Sequence, residues 1–120
     1  MILKLPYPPS VNGLFAGTGR RYKSKAYRAW ITAAGWSAKS QAGAERIRGP
    51  WSIELRAVRP DRRQRDIDNL IKPTVDLMVS LGLVSDDSEM QTVFAAWVPG
   101  NPEKPPVISV SIFQHNEGKG

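Results

Sequence analysis

Cysteine is absent from this sequence. That excludes thiol nucleophiles, disulfide staples and thiolate-held metals before any motif is considered, and it is compatible with a reducing compartment. Histidine occurs once, at His115 near the C-terminal end, so a histidine-based triad is not expected. No apolar run approaches the roughly 18 residues of a membrane span. The opening MILKLPYPPS is interrupted by proline too early to read as a signal peptide. The expected setting is the cytoplasm, with no membrane partner. Acidic residues are the scarcer charge, 11 Asp and Glu against 17 Lys and Arg, for a formal net charge of +6. Such an excess favours polyanionic partners, nucleic acid before an anionic membrane surface.

What is present is an ordinary globular composition. At 120 residues, 41% hydrophobic and 23% charged, the chain is sized for one core and one domain. Leu3, Leu5 and Tyr7 share one face of an extended segment, Ile2–Pro6, that Pro8 and Pro9 terminate. Residues 10–24 read as a basic loop carrying Arg20, Arg21 and Lys23, with Phe15 and Tyr22 either tucked into the core or free to stack on bases. Tyr27, Trp30, Ala34, Ser37 and Gln41 recur at helical spacing and predict an amphipathic helix over 24–44. After Gly49 and Pro50, WSIELRAV alternates cleanly, with Trp51, Ile53, Leu55 and Ala57 on one face of a strand. Leu70, Thr74, Leu77, Met78 and Leu81 predict a second helix that Gly82 stops. Pro73 places its regular start between Asn69 and Lys72, because proline is tolerated only where its missing N–H has no intrahelical partner. Residues 92–98 and 107–113 read as two more strands, and 114–120 as a disordered tail. The order strand, helix, strand, helix, strand, strand predicts an α+β domain over residues 1–113, a small mixed β-sheet with helices packed on it.

The chemistry concentrates in RPDRRQRDIDNLIKPTVD, from Arg59 to Asp76. Arg59, Arg62, Arg63 and Arg65 crowd against two carboxylates one residue apart, Asp66 and Asp68. Guanidinium groups fork onto phosphate oxygens, whereas carboxylates repel the same phosphates unless a divalent cation lies between. Hard oxygen donors suit Mg²⁺ or Mn²⁺. In extended backbone residues i and i+2 point the same way, so Asp66 and Asp68 converge if the strand-like conformation persists to the helix start. Asp68, Lys72 and Asp76 recur at four-residue steps, which sets an ammonium one turn from the second carboxylate, either to stabilise developing charge or to make a surface ion pair. The turn Ser85-Asp86-Asp87-Ser88-Glu89 offers a third ligand or only a solvated turn.

The run Arg65-Asp66-Ile67-Asp68-Asn69-Leu70 with Lys72 and Asp76, followed by Asp86-Asp87, resembles the RusA Holliday junction resolvases. The early Pro8-Pro9-Ser10 with Asn12 extends the resemblance from the first strand to the last. It implies a RusA-like homodimeric, magnesium-dependent endonuclease of DNA recombination and repair, often encoded by phages or prophages in a bacterial host, that nicks four-way DNA junctions symmetrically. Carried over by position, it implies Asp66, Asp68 and Asp87 as catalytic carboxylates and metal ligands, with Mn²⁺ able to replace Mg²⁺. It implies Lys72 as the catalytic lysine and Arg65 at the scissile phosphate. Asp86 in place of Asp87 stays open, and Pro73 directly after Lys72 bears on the lysine's approach. Arg59, Arg62, Arg63, Arg65, Asn69, Arg20, Arg21, Lys23 and Asn12 are the expected DNA contacts.

Two other readings compete. A non-catalytic DNA-binding module would use the arginines on the backbone and the aspartates as helix caps, a role Asp fills well. A glycosidase-like carboxylate pair would need no arginine field, since neutral sugars carry no charge. Trp97, Trp51, Phe94 and Trp36 are candidates for a dimer interface, and the first three equally for the core.

Overall fold

Trp51, Ile53, Leu55 and Ala57, the apolar half of the alternating run, are all buried on one face of the strand they form. The computed structural model describes residues 1–10, 13–17 and 21–115. Its elements are β1 (Ile2–Pro6), β2 (Phe15–Ala16), β3 (Tyr22–Lys23), α1 (Lys25–Ala42), β4 (Trp51–Ala57), α2 (Ile71–Ser80), β5 (Met90–Trp97) and β6 (Val107–Gln114), with 3₁₀ turns at Ile67–Leu70 and Asp87–Glu89. The expected α+β architecture is present: a four-stranded mixed sheet in the order β1-β6-β4-β5, with the helices on one face.

β4 is antiparallel to β6, Leu55 opposite Val110, and parallel to β5, Leu55 opposite Ala95. β6 also pairs antiparallel with β1, Leu5 opposite Ile108. This register brings Leu3, Leu5, Ile53, Leu55, Ile108, Val110 and Ile112 onto the core face, all buried. A parallel neighbour cannot be reached by a tight hairpin, so β4 and β5 are joined by a crossover that contains α2.

Ser24 caps α1, its hydroxyl oxygen accepting from the Tyr27 N–H at 3.0 Å. Tyr27, Trp30 and Ala34 are buried as expected, and Ala38 is buried beside them. Ser37 and Gln41, on the same stripe, do something else. The Gln41 amide donates to the Lys4 carbonyl and accepts from the Lys4 N–H, both at 2.7 Å, while the Ser37 hydroxyl donates to the same carbonyl at 3.1 Å. Helix side chains thus occupy backbone groups on the outer edge of β1, which would otherwise invite another strand.

α2 begins at Ile71, inside the expected interval, with Pro73 its third residue, and Gly82 follows its end at φ 71°. Three expectations need correction or extension. Trp51 is fully buried, its indole N–H donating to the Asp86 carbonyl at 2.8 Å, so it is core and not interface. The basic loop contains the short β2–β3 pairing, and Phe15 packs edge-on to Tyr27 with ring centroids 5.9 Å apart. β6 runs through Gln114, and the His115 N–H donates to the Pro50 carbonyl at 2.8 Å, beyond the point where a tail was expected to begin. Among the described residues, no helix is long and apolar enough to cross a membrane.

Gly35 gives a direct test of the α1–α2 contact. A methyl group there would lie 3.6 Å from Leu81 Cδ2 and 4.0 Å from Leu77 Cδ1, ordinary contact distances. Gly35→Ala should therefore stabilise the fold by about 0.5–1 kcal/mol through helix propensity. A higher urea midpoint is expected, and a lower one would show that the helices cannot admit the methyl.

Candidate active site

Past β4 the chain has no strand partner to follow and turns on its own side chains. Asp61 accepts the Arg63 backbone N–H at 3.0 Å, closing a local turn. The same carboxylate takes a fork from Arg65, Nε at 3.2 Å and Nη2 at 2.8 Å. The Arg65 guanidinium also lies over the Tyr7 ring, 5.8 Å from its centroid. Tyr7 is itself strapped, its backbone N–H donating to the Pro106 carbonyl at 3.0 Å. Asp61, Arg65 and Tyr7 therefore form a chain from the crossover loop to the end of β1. Arg65 holds the Asp61 carboxyl below its ordinary pKa, mainly by hydrogen bonding, and burial pushes the Tyr7 hydroxyl up.

Asp66 follows in extended backbone (φ −86°, ψ 128°) and occupies the cap position of the first 3₁₀ turn, yet its side chain makes no capping hydrogen bond. Leu70 stands at the corresponding position of α2, where no side chain caps either. Asp68 lies within the 3₁₀ turn and is exposed. The extended conformation needed to align Asp66 with Asp68 thus ends at Asp66. Among the described residues, neither carboxylate has a side-chain hydrogen bond or ion pair in the protein. Asp66 borders a cavity of about 340 Å³ together with Tyr7, Pro9, Gln64, Arg65 and Asn69.

Lys72, in the first turn of α2, is exposed and donates to Asp76 at 3.2 Å, the i,i+4 ion pair among the two open possibilities. Asp76 and Asp87 line a second cavity of about 430 Å³ with Lys23, Tyr27 and Leu77. The adjacent acidic pair divides its work. Asp86 accepts the Ser88 N–H at 3.1 Å and caps the second 3₁₀ turn, which draws its pKa down. Asp87 is held above the ordinary carboxylate range, chiefly by the neighbouring Asp86 carboxyl, with Asp76 adding to it. Among the described residues, no three Asp, Glu or His side chains are gathered into a cation cage. Asp66, Asp68 and Asp87 are therefore not gathered as one three-carboxylate group.

Of the expected DNA contacts, Arg62 and Arg63 are exposed, Arg59 stacks on Trp97 at 4.7 Å, and Arg21 lies over Phe15 at 5.7 Å. Lys23 faces the Asp87 cavity and Asn69 the Asp66 cavity. Asn12 and Arg20 lie outside the described residues. Sequence reasoning missed Tyr7 and Asp61 as site residues. The spacing of Asp61 and Arg65, four apart, was a readable signal, although it arises here in a loop and not on a helix.

The fork has a pH signature. Its charged form is favoured by folding, so the interaction is present at neutral pH and is lost as pH falls through the depressed Asp61 pKa. In a carbon-detected NMR titration Asp61 should have a midpoint below the ordinary carboxylate range, and Arg65→Ala should restore it. An ordinary midpoint in the unsubstituted protein would mean the fork is not maintained in solution.

Over residues 6–112 the chain matches the family model for endodeoxyribonuclease RusA. A crossover junction endodeoxyribonuclease RusA of Aquifex aeolicus (strain VF5) is 31% identical over 93 residues, covering 75% of this chain and 74% of the relative. Its counterpart in Escherichia coli (strain K12) is 33% identical over 92 residues, covering 73% and 74%. That of Enterobacteria phage 82 is 32% identical over 97 residues, again covering 73% and 74%. The matched interval contains the arginine loop, the Asp66–Asp68 turn and the Asp86–Asp87 pair, and with the sheet that holds them it makes this chain a member of the RusA endodeoxyribonuclease family.

Proposed function

We propose that this protein resolves four-way DNA junctions by Mg²⁺-dependent hydrolysis, acting as a homodimer that places one nick in each of two strands. The observation that carries the reading is that Asp66 and Asp68, set beside an arginine cluster, cap nothing and pair with nothing among the described residues. A DNA-binding module would need them as caps, and they do not serve as caps. The curated relatives named above are crossover junction endodeoxyribonucleases, which fits. Bacterial and phage relatives also fit work in the cytoplasm of a bacterial host, where such DNA lies.

The donor set suits a hard cation: exposed carboxylate oxygens with no nitrogen or sulfur competitor. Asp66, Asp68 and Asp87 would hold it, with DNA phosphate oxygens and water completing a shell that the chain alone leaves open. When bound, Mg²⁺ supplies Lewis-acid activation of water and neutralises charge on the phosphate, and Mn²⁺ can replace it. Arg65 keeps donors beyond those given to Asp61, and these would orient the scissile phosphate. Lys72 is one exposed ion pair away from freedom, and would leave Asp76 for developing negative charge. No side-chain nucleophile is required, so water attacks.

The dimer is supported by an asymmetry between the two sheet edges. β1 is covered by Gln41, whereas β5, MQTVFAAW, carries no charge and no proline, and leaves Val93 41% and Phe94 48% exposed. Such an edge is a template for a second strand. Two β5 edges meeting across a two-fold axis would extend the sheet and set two sites in opposition.

A labelled synthetic junction should receive paired nicks in Mg²⁺ and none in EDTA, and a matched linear duplex should stay intact. Asp68→Asn should reduce nicking by at least about a hundredfold with junction binding retained. Binding without nicks in either Mg²⁺ or Mn²⁺ would favour the non-catalytic module. The double substitution Val93→Lys with Phe94→Lys should convert the dimer to monomer in sedimentation and abolish simultaneous nicks. A dimer that survives it would place the interface elsewhere.

A further inference from the structure

The cavity beside Asp66 is more than an approach to the carboxylates. Its lining combines ring-bearing residues, Tyr7, Pro8 and Pro9, with the polar and charged Gln64, Asn69, Arg65 and Asp66. Tyr7 is held from two directions, by its backbone bond to Pro106 and by Arg65, which Asp61 fixes in turn. Among the described residues, the amides of Gln64 and Asn69 have no hydrogen-bond partner in the protein, so each presents a free donor and a free acceptor. At about 340 Å³ the cavity is at the small end for ligand sites, too small for stacked base pairs.

Each wall narrows the ligand. A bare phosphate would be served by the arginines and would leave the aromatic wall and both amides unused. A sugar can pack a C–H face on the ring but has no flat edge of alternating donors and acceptors for two amides to read. A flat heterocycle with alternating donors and acceptors on its edge uses all three features, since aromatic rings stack on bases and side-chain amides read base edges in pairs. Bases at a junction branch point already lack part of their stacking, which lowers the cost of turning one outward. We infer that this slot accepts a single unstacked nucleobase next to the scissile phosphate, with the face of the Tyr7 ring that Arg65 leaves uncovered as its stacking platform and Gln64 as the residue that discriminates its identity. This rests on the junction-cutting reading and adds to it the determinant of where along the sequence the cut falls.

The test uses the full chain and four junctions that differ only in the base flanking the branch point. Cleavage rates are measured in Mg²⁺, and affinities by competition in EDTA, where no cutting is required. The four bases should differ by about tenfold in one readout or both, the size of a single amide-to-base contact. Gln64→Ala, on an exposed loop where folding is not at stake, should shrink that spread to about twofold or less. Tyr7→Leu should weaken handling of all four bases together, whereas Tyr7→Phe should retain it. Equal handling of four bases by the unsubstituted protein in both readouts, or a spread that survives Gln64→Ala, would overturn the assignment. A base-dependent affinity that collapses in Gln64→Ala, with no nicks in Mg²⁺, would leave the slot standing and remove the nuclease reading instead.

Discussion

The parallel pairing of β4 with β5 is the constraint on which the rest of the structure depends. β4 meets β6 antiparallel on one side and β5 parallel on the other. The antiparallel neighbours could in principle be linked by short turns, but the parallel pair cannot. The chain must leave the end of β4 and return to its beginning before β5 can start. Every residue proposed for chemistry on the carboxylates lies on that excursion: the arginine loop, the 3₁₀ turn, the first turns of α2 and the acidic turn that Asp86 caps. The excursion is anchored at both ends, by the Val98 N–H on the Ala57 carbonyl and by the Trp51 indole on the Asp86 carbonyl. Within those anchors α2 packs into the core, while Asp66, Asp68, Lys72 and Asp87 are exposed and available to a ligand.

Charge then explains why the site is prepared on one side and open on the other. Arg65 is given a carboxylate of its own, Asp61, and a ring to lie against, so its position is determined before DNA arrives. Among the described residues, Asp66 and Asp68 are given nothing equivalent. A carboxylate that formed an ion pair with a neighbouring arginine would be unavailable to a cation, and diverting Arg65 to Asp61 keeps that competition away. Asp87 shows the cost of the same strategy, since crowding against Asp86 and Asp76 favours its protonated form. A cation and phosphate oxygens would relieve that crowding, which would tie assembly of the proposed site to the presence of substrate.

Much of this was legible in the sequence, and the failures have physical causes. Period-2 alternation found β4 because one face is wholly buried, and Pro73 and Gly82 marked the ends of α2 through a missing N–H and a positive φ. The helical stripe of α1 was also legible, but periodicity cannot distinguish Ser37 and Gln41, which bond the β1 backbone, from residues that pack in the core. The pairing of Asp66 with Asp68 depended on extended backbone, and a 3₁₀ turn begins between them. Tyr7 was invisible as a site residue because its partner Arg65 lies far along the chain, and only the sheet brings the end of β1 to the crossover loop.

The two sheet edges give the last step. An edge strand is a hazard unless something occupies it, and α1 supplies Gln41 and Ser37 to β1 for that purpose. Among the described residues no side chain bonds to the β5 backbone edge as Gln41 does to β1; Arg56, itself paired with Glu54, lies over the exposed Phe94, and Arg59 over Trp97. A chain that protects one edge and leaves the other bare of charge and proline is suited to one neighbour, on one side. A two-fold pairing there would consume both β5 edges at once. Closure at two copies would suit the proposed paired cutting of two strands, one open site being supplied by each chain.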